Sequence, residues 1–433
     1  MPYTARTPNQ PYAPERGPEL SSIAVAELDL DGPDGRVLSL RPVPGGPALG
    51  AGGIYALVRL RGRPAATVLG RVAPGEDPAE VLTAAFRARG GRYGQPPPDE
   101  PVVPPSTTVV VATRERAAPL ARALDSLLAQ DHPDFRVLVV DNAPVTTATR
   151  DLVEGAYAGR VGYVHEPVPG LAVAHNRALT TAPDREVLAF TDDDVIADPH
   201  WLTALTAPFA ADPGLGCVTG LILPARLTTP AQILLESHGG FAKGFEPRLY
   251  DPARPPADEP LFPFTAGSFG SGANMAFRTR ALRAVGGFDP ATGTGTPARG
   301  GDDLYAFVRI LTAGHRLRYT PGALVWHHHR ETWQDLRNQA YGYGAGLTAC
   351  LTALLVRRPA LLPALLAKVP RGLAHARAIT AHRAEGGGTA PGAHGAGAHP
   401  WPRGLSRLER RGMLYGPLGY AMARGRLRGG GKP

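Results

Sequence analysis

Three clusters in the 433-residue chain hold the side chains best suited to chemistry. Asp192, Asp193 and Asp194 follow the apolar run Val187 to Thr191, so three carboxylates crowd one strand end. Their repulsion calls for a counter-charge, and a divalent cation that favours oxygen ligands supplies one. Alternation along an extended chain sets Asp192 and Asp194 on one side as the metal pair and leaves Asp193 free to meet a ribose. A solvated acidic turn is the competing reading, and the strand-end position weighs against it. Asp302 and Asp303 follow Arg299, Gly300 and Gly301 and open an apolar helix, Leu304 to Leu311. The helix dipole alone favours acids there. The glycines, however, let the loop approach a substrate closely, where one carboxylate can act as a general base. His327, His328 and His329 end a third apolar run, Leu324 to Trp326, with His327 and His329 on one face. One of that pair either completes the aspartate site as an imidazole ligand or simply packs at the strand end. Arg330 has the planar fork that suits a phosphate.

Such groups need a scaffold that aims them at one place. Val109 to Val111 form a buried-strand run, Pro119 to Gln130 a helix-like stretch, and Arg136 to Val140 another strand that stops at Asp141 and Asn142. Strand, helix, strand with continuous apolar runs is the signal of a parallel sheet covered on both faces. The expected class is therefore a doubly wound α/β domain, with ligands beyond the carboxyl ends of its strands. Thr113 to Arg116, Asp141 to Asn142 and Asp192 to Asp194 all fall at such ends.

The rest of the chain divides by composition. Residues 1–20 are proline-bearing, lack the apolar run of a signal peptide and are expected to be disordered. Residues 21–95 read as an accessory α+β module, with strands at Val37 to Leu40 and Ile54 to Leu60 and a helix at Asp77 to Ala88. A proline-rich linker (96–105) leads to the main domain (106–345). A helical segment (346–383) and a low-complexity basic tail (384–433) follow it. With 53 glycines and 46 prolines concentrated in loops and at the ends, floppy termini are expected. Two cysteines, Cys217 and Cys350, build neither a disulfide framework nor a thiolate zinc cluster, which fits a reduced cytoplasmic setting.

The net charge of +8 is uneven: from Arg357 onward there are 14 Lys or Arg against two acids, so the basic excess lies wholly in the tail. That pattern speaks against a nucleic-acid-binding core and suggests attraction to an anionic membrane face. A GC-rich genome that writes arginine is the bland alternative, since Lys243, Lys368 and Lys432 are the only lysines. Tail binding to nucleic acid lacks the interleaved aromatics it would need. The apolar stretches Leu347 to Val356 and Ala360 to Val369 each fall short of the roughly 20 residues of a spanning helix, leaving a peripheral place on the inner membrane face as the expectation.

Eight ordered segments carry a family resemblance: VVVATRER (109–116), VVDNAP (139–144), GLAVAHNRAL (170–179), AFTDDDV (189–195), GSGANMAFRTRAL (270–282), GGFD (286–289), GGDDLYAFVRIL (300–311) and VWHHHRETW (325–333). Together they resemble the bacterial family 2 glycosyltransferases over about residues 106–345. The resemblance implies a GT-A fold, a nucleotide-sugar donor, Mn2+ or Mg2+, and transfer of a hexosyl group with inversion. It places Thr113 and Glu115 in the first nucleotide-binding loop, Asp141 with Asn142 at the base, and Asp192 to Asp194 on the DXD motif. It also places Gly272 and Asn274 beside the donor sugar, His327 on the metal and Asp303 as the general base. Asp302 stands where a longer glutamate is usual. His175 before Asn176 replaces an arginine near the nucleotide, and Arg114 and Glu115 replace a Tyr-Asn pair, departures that bear on donor preference. The implied acceptor is a glycan, a lipid-linked sugar or a secondary metabolite.

Two other readings compete. A nucleotidyltransferase would carry a glycine-rich, basic phosphate loop after the first strand, and VATRERAAP (111–119) has no glycine. A non-catalytic glycosyltransferase-like scaffold would have no need of the acids at 192–194 and 303.

Overall fold

The computed structural model describes residues 20–90, 102–374 apart from 183, 239, 266, 369 and 373, and 401–429. All but the last residue of the disordered start expected for 1–20, most of the proline-rich linker and the low-complexity stretch before residue 400 therefore lie outside the described residues.

The N-terminal unit is a four-stranded sheet with one helix: β1 (Ile23–Leu30), β2 (Val37–Pro42), β3 (Gly52–Leu60), β4 (Arg63–Val72) and α1 (Pro78–Arg87), in strand order β2-β1-β3-β4. Asp77 caps α1 by accepting the Ala79 N–H at 2.8 Å, and Pro78 at the first helical position needs no donor partner. Strands β1 and β4 were not expected from the sequence. Burial runs unbroken from Val25 to Leu28 in β1 and from Pro64 to Val68 in β4, so neither strand keeps one exposed face.

The main unit continues with β5 (Thr107–Thr113), α2 (Ala117–Leu128), β6 (Phe135–Asn142), α3 (Ala148–Gly155), β7 (Val161–Glu166), α4 (Leu171–Thr181), β8 (Val187–Asp192) and β9 (Val195–Ala197). Then come α5 (Trp201–Ala211), β10 (Leu215–Pro224), α6 (Pro230–Ser237), β11 (Arg248–Tyr250), β12 (Asn274–Arg278), α7 (Thr279–Ala284), α8 (Asp302–Thr312) and β13 (Arg316–His327). They build a nine-stranded mixed sheet, β11-β13-β10-β12-β8-β5-β6-β7, with β9 paired to β13. The valine run explains its centre: Val109 and Val111 join the apolar cluster on one face while Val110 joins that on the other. The α/β class expected from strand, helix, strand is thus observed, with antiparallel β12 interrupting the parallel set.

Register places the site. Parallel pairing of β5 with β6 and β8 sets Thr113 opposite Asp141 and Ala112 opposite Asp192, so the three loops leave one edge together. Antiparallel β12 sets Asn274 opposite Thr191, which brings Gly272 and Ala273 beside the aspartates. The short strand β9 returns along β13 with Val195 opposite His327, which carries the histidine to the triplet.

The two units share a core: Ile23, Val25, Tyr55 and Leu57 pack with Leu221, Leu223, Ile233 and Trp326. Arg59 bridges them through Glu27 and Asp198, each at 2.6 Å.

The C-terminal end departs from the expected floppy tail. Helix α9 (Trp333–Arg357) runs across the expected boundary at 345, and residues 403–429 form a second long helix, α10, packed against it. Glycine permits this. A Cβ on Gly344, Gly412 or Gly416 would overlap backbone atoms of the facing helix, so the two backbones touch where side chains would hold them apart. Among the described residues no single helix is long and apolar enough to cross a membrane.

Candidate active site

A cleft of about 1000 Å³ opens at the carboxyl edge of the sheet. Its walls include Asp192, Gly272, Asp302, Asp303 and Arg330 from the main unit, and Tyr343, Met413 and Met422 from α9 and α10.

On one side lies the acidic triplet. One oxygen each of Asp192 and Asp194 and a ring nitrogen of His327 lie within 4.8 Å of one another. Nε2 of His327 is 3.3 Å from Asp194 and 4.0 Å from Asp192. Two carboxylates and an imidazole form a donor set that suits Mn2+ or Mg2+, so the residues fit the cation expected from the sequence. Asp193 points elsewhere, from the turn that follows β8. It accepts the Thr113 hydroxyl at 2.6 Å and pairs with Arg116 at 2.7 Å. Arg116 also reaches Asp194 at 2.9 Å, and Arg330 stands 3.8 Å from the same carboxylate.

These contacts split the acids electrostatically. Burial and the neighbouring Asp194 charge push Asp192 up to about 7. Asp194 is held well below the usual carboxylate range: burial opposes this, but the hydrogen bond and charge of His327 and the Arg116 guanidinium prevail. His327 is correspondingly raised against its own burial by Asp194. Arg116 went unremarked as an individual residue in the sequence, although three adjacent acids demand a nearby cation and it sits in a loop aligned with them.

Opposite lies the acid pair. Gly301, at φ 87°, turns the chain into α8, and any side chain there would strike the backbone of Gly346. Asp303 accepts the Gly272 N–H on Oδ2 at 2.9 Å and the Leu304 N–H on Oδ1 at 2.7 Å. Desolvation and the charge of Asp302 push it up to about 6, a value suited to a base working near neutrality. Asp302 is buried and faces Nδ1 of His175 at 3.5 Å.

The expected nucleotide loops are present, with several roles changed. Asp141 is fully buried, accepts the Tyr163 hydroxyl at 2.9 Å and leaves Oδ1 without a partner. Burial raises its pKa. Glu115 lies at the surface, where it accepts the N–H groups of Val145 at 2.8 Å and Thr146 at 3.0 Å, and so ties the first loop to the second. Asn142 spends its amide on the loop into α4, donating to Val168 at 2.8 Å and accepting from Gly170 at 2.9 Å.

Three expectations need correction. His175 does not face an open nucleotide pocket: its ring lies between Phe190 and Phe288, each centroid 4.9 Å away, beneath Asp302. Asn176 donates to the Phe288 carbonyl at 2.8 Å and accepts its N–H at 3.0 Å, which ties its amide to the loop after α7. Asn274, expected beside the donor sugar, is wholly buried. It donates to Leu221 at 2.9 Å and Ala323 at 2.8 Å and accepts from Trp201 at 2.9 Å, joining β12 to its neighbours. In each case a polar residue near a motif serves the sheet or loop behind it.

Comparisons with known proteins bear on this geometry. Two proteins called pre-mycofactocin glycosyltransferase, from Mycobacterium tuberculosis strains CDC 1551 / Oshkosh and ATCC 25618 / H37Rv, are each 29% identical to the chain over 249 residues. The match takes in 58% of this chain and 47% of each relative, so it spans about half the length of the curated relatives. Among solved structures, mannosyltransferase PcManGT from Pyrobaculum calidifontis, in complex with GDP-Man and Mn2+, aligns at 21% identity. Its TM-score is 0.44, over 75% of this chain and 89% of that one. GalNAc-T7 with UDP, GalNAc and Mn2+ aligns at 19% identity and a TM-score of 0.42, over 57% of this chain and 47% of that one. A family model described as glycosyltransferase like family 2 matches residues 104–341, the stretch that contains Asp192, Asp194, Asp302, Asp303 and His327. With that match and the expected GT-A arrangement of a mixed sheet with acids at its carboxyl edge, the chain belongs to the family 2 glycosyltransferases.

Proposed function

We propose that the protein transfers a hexosyl group from a nucleotide-diphosphate donor to an acceptor hydroxyl, with inversion at the anomeric carbon and with Mn2+ or Mg2+. The observation that carries this reading is the single cleft lined by Asp192 of the metal-binding set and by the Asp302–Asp303 pair, so leaving group and attacking hydroxyl share one space. Asp192, Asp194 and His327 would hold the cation, which when bound neutralises charge developing on the departing diphosphate. Arg330, half exposed at the cleft, adds a fork for the phosphates. Asp303 takes the acceptor proton, since each oxygen keeps a lone pair beyond its backbone bond. A Cβ on Gly272 would make only ordinary contact with Asp303, at 3.5 Å, so the glycine leaves that side of the base uncovered. Donor hydrolysis across UDP-, GDP- and dTDP-sugars, with and without EDTA, tests the reading: metal-dependent release from at least one donor is expected.

We further propose that α10 rests on an anionic membrane face from the cytoplasmic side. Leu414, Leu418 and Met422 stand exposed one turn apart on it, with Arg407, Arg410 and Arg411 before them and Arg426 and Arg428 after. Sedimentation with anionic but not neutral vesicles, lost on Leu414→Asp with Leu418→Asp, is the expected result.

A further inference from the structure

Behind His327 runs a buried chain of polar side chains. Nδ1 of His327 lies 3.0 Å from Nδ1 of His329, and Nε2 of His329 lies 3.4 Å from Oε2 of Glu236. The Tyr55 hydroxyl donates to the other oxygen, Oε1, at 3.1 Å. All four residues are buried. They come from three parts of the sequence: Tyr55 from β3 of the N-terminal unit, Glu236 from α6, and the histidines from the end of β13.

The direction of these bonds follows from donor chemistry. A carboxylate only accepts, so the proton between Glu236 and His329 belongs to Nε2 of His329. In a neutral ring Nδ1 of His329 is then a lone pair, and the 3.0 Å contact is a hydrogen bond only if Nδ1 of His327 carries the hydrogen. Without a cation, Nε2 of His327 also carries a hydrogen toward Asp194; a cation bound there would replace that proton and meet the bare Nε2, the nitrogen that faces Asp194 and Asp192. Phe241 packs against both rings, at 5.4 and 5.5 Å, and limits their rotation. Arg59, bonded to Glu27 and Asp198, seats the N-terminal unit so that Tyr55 reaches Glu236.

We propose that Glu236 and Tyr55 are positioning residues that set His327 in the tautomer whose Nε2 faces the aspartates, which makes the N-terminal unit a working part of the metal centre. The proposal rests on the metal-dependent reading of the cleft. Outer partners of this kind commonly change metal affinity by about 10- to 100-fold when removed.

The test is Mn2+ binding by the full chain, read from the free-Mn2+ electron paramagnetic resonance signal with UDP or with GDP present. The proteins are wild type, Asp194→Ala, Glu236→Gln and Tyr55→Phe, each with a thermal melt in EDTA. In Glu236→Gln the carboxamide can donate to Nε2 of His329, which reverses the chain and puts the hydrogen on Nε2 of His327. Mn2+ binding is expected to weaken by about 10-fold or more in Glu236→Gln, and by a smaller factor in Tyr55→Phe. A purely packing role would lower the melting temperature and leave Mn2+ affinity unchanged. Folded variants that both bind Mn2+ as wild type does overturn the proposal, and if Glu236→Gln fails to fold, Tyr55→Phe decides alone. Wild type showing no Mn2+ uptake that Asp194→Ala abolishes would overturn the metal-dependent reading and the positioning role together. Normal uptake that Glu236→Gln and Tyr55→Phe leave intact would remove only the latter.

Discussion

Asp303 accepts the backbone N–H of Gly272 at 2.9 Å, and this bond joins the start of α8 to the loop that enters β12. Because β12 pairs with β8, the same bond fixes the base relative to the acidic triplet through one sheet register. The cleft chemistry thus depends on a short path: Asp303, Gly272, β12, β8, Asp192.

Replacing the base tests its role without breaking that path. In Asp303→Asn the amide oxygen can still accept from Gly272, but the side chain no longer takes a proton. Turnover is expected to fall by about 10²- to 10⁴-fold with donor binding retained, measured as kcat beside the donor Kd. Retention of most activity would remove Asp303 from the mechanism.

The acid limb of the pH profile should follow the same group. Asp303 is pushed up to about 6 by desolvation and by Asp302, and only its ionised form accepts a proton, so activity rises as pH increases through about 6. Asp302→Asn removes a like charge and should move this limb to lower pH. A limb that stays in place would show that another group governs it.

Arg116 joins Asp193 and Asp194 and is itself only partly exposed. Arg116→Gln leaves those acids without their guanidinium. A stability loss of about 1 to 3 kcal/mol is expected in EDTA, below the full buried value because solvent screens part of the interaction. Added Mn2+ should raise the melting temperature more in this variant than in wild type. Equal shifts in the two proteins would contradict the counter-charge role.

The seam between α9 and α10 is testable by bulk. Gly416→Leu inserts a side chain where backbone and Thr348 already meet. Overpacking of this kind costs about 1 to 3 kcal/mol, read as a lower melting temperature. Since α10 lines the cleft through Met413 and Met422, turnover should fall as well. An unchanged melting temperature would mean that the helix does not dock as described.

The sheet was legible where apolar runs were long and ended in acids. Arg136 to Val140 and Val187 to Thr191 announced buried strands, and the second ends at Asp192 in the cleft wall. The long-range register of β13 against β9 and β10 was not legible, yet it brings His327 to Asp194. Asn176 and Asn274 were misplaced for a related reason: a motif names a residue's neighbourhood, while its bonds depend on strands distant in sequence. The C-terminal helix was missed because glycine was read as flexibility. Its spacing, Gly412 to Gly416, is equally the pattern of close helix contact, and the matching Gly344 lies on α9. Tyr55 and Glu236 carry no local signal, and although His329 stood out in the histidine triplet, its meeting with them requires the two sheets to be packed together.

The central claim is that Asp192, Asp194 and His327 support metal-dependent departure of a nucleoside diphosphate. The most direct measurement is release of that diphosphate from a panel of UDP-, GDP- and dTDP-sugars, in Mn2+, Mg2+ or EDTA, by wild type and Asp194→Ala. The account predicts release from at least one donor that needs the metal and is lost in Asp194→Ala. Release that is unaffected by both EDTA and the substitution would contradict it.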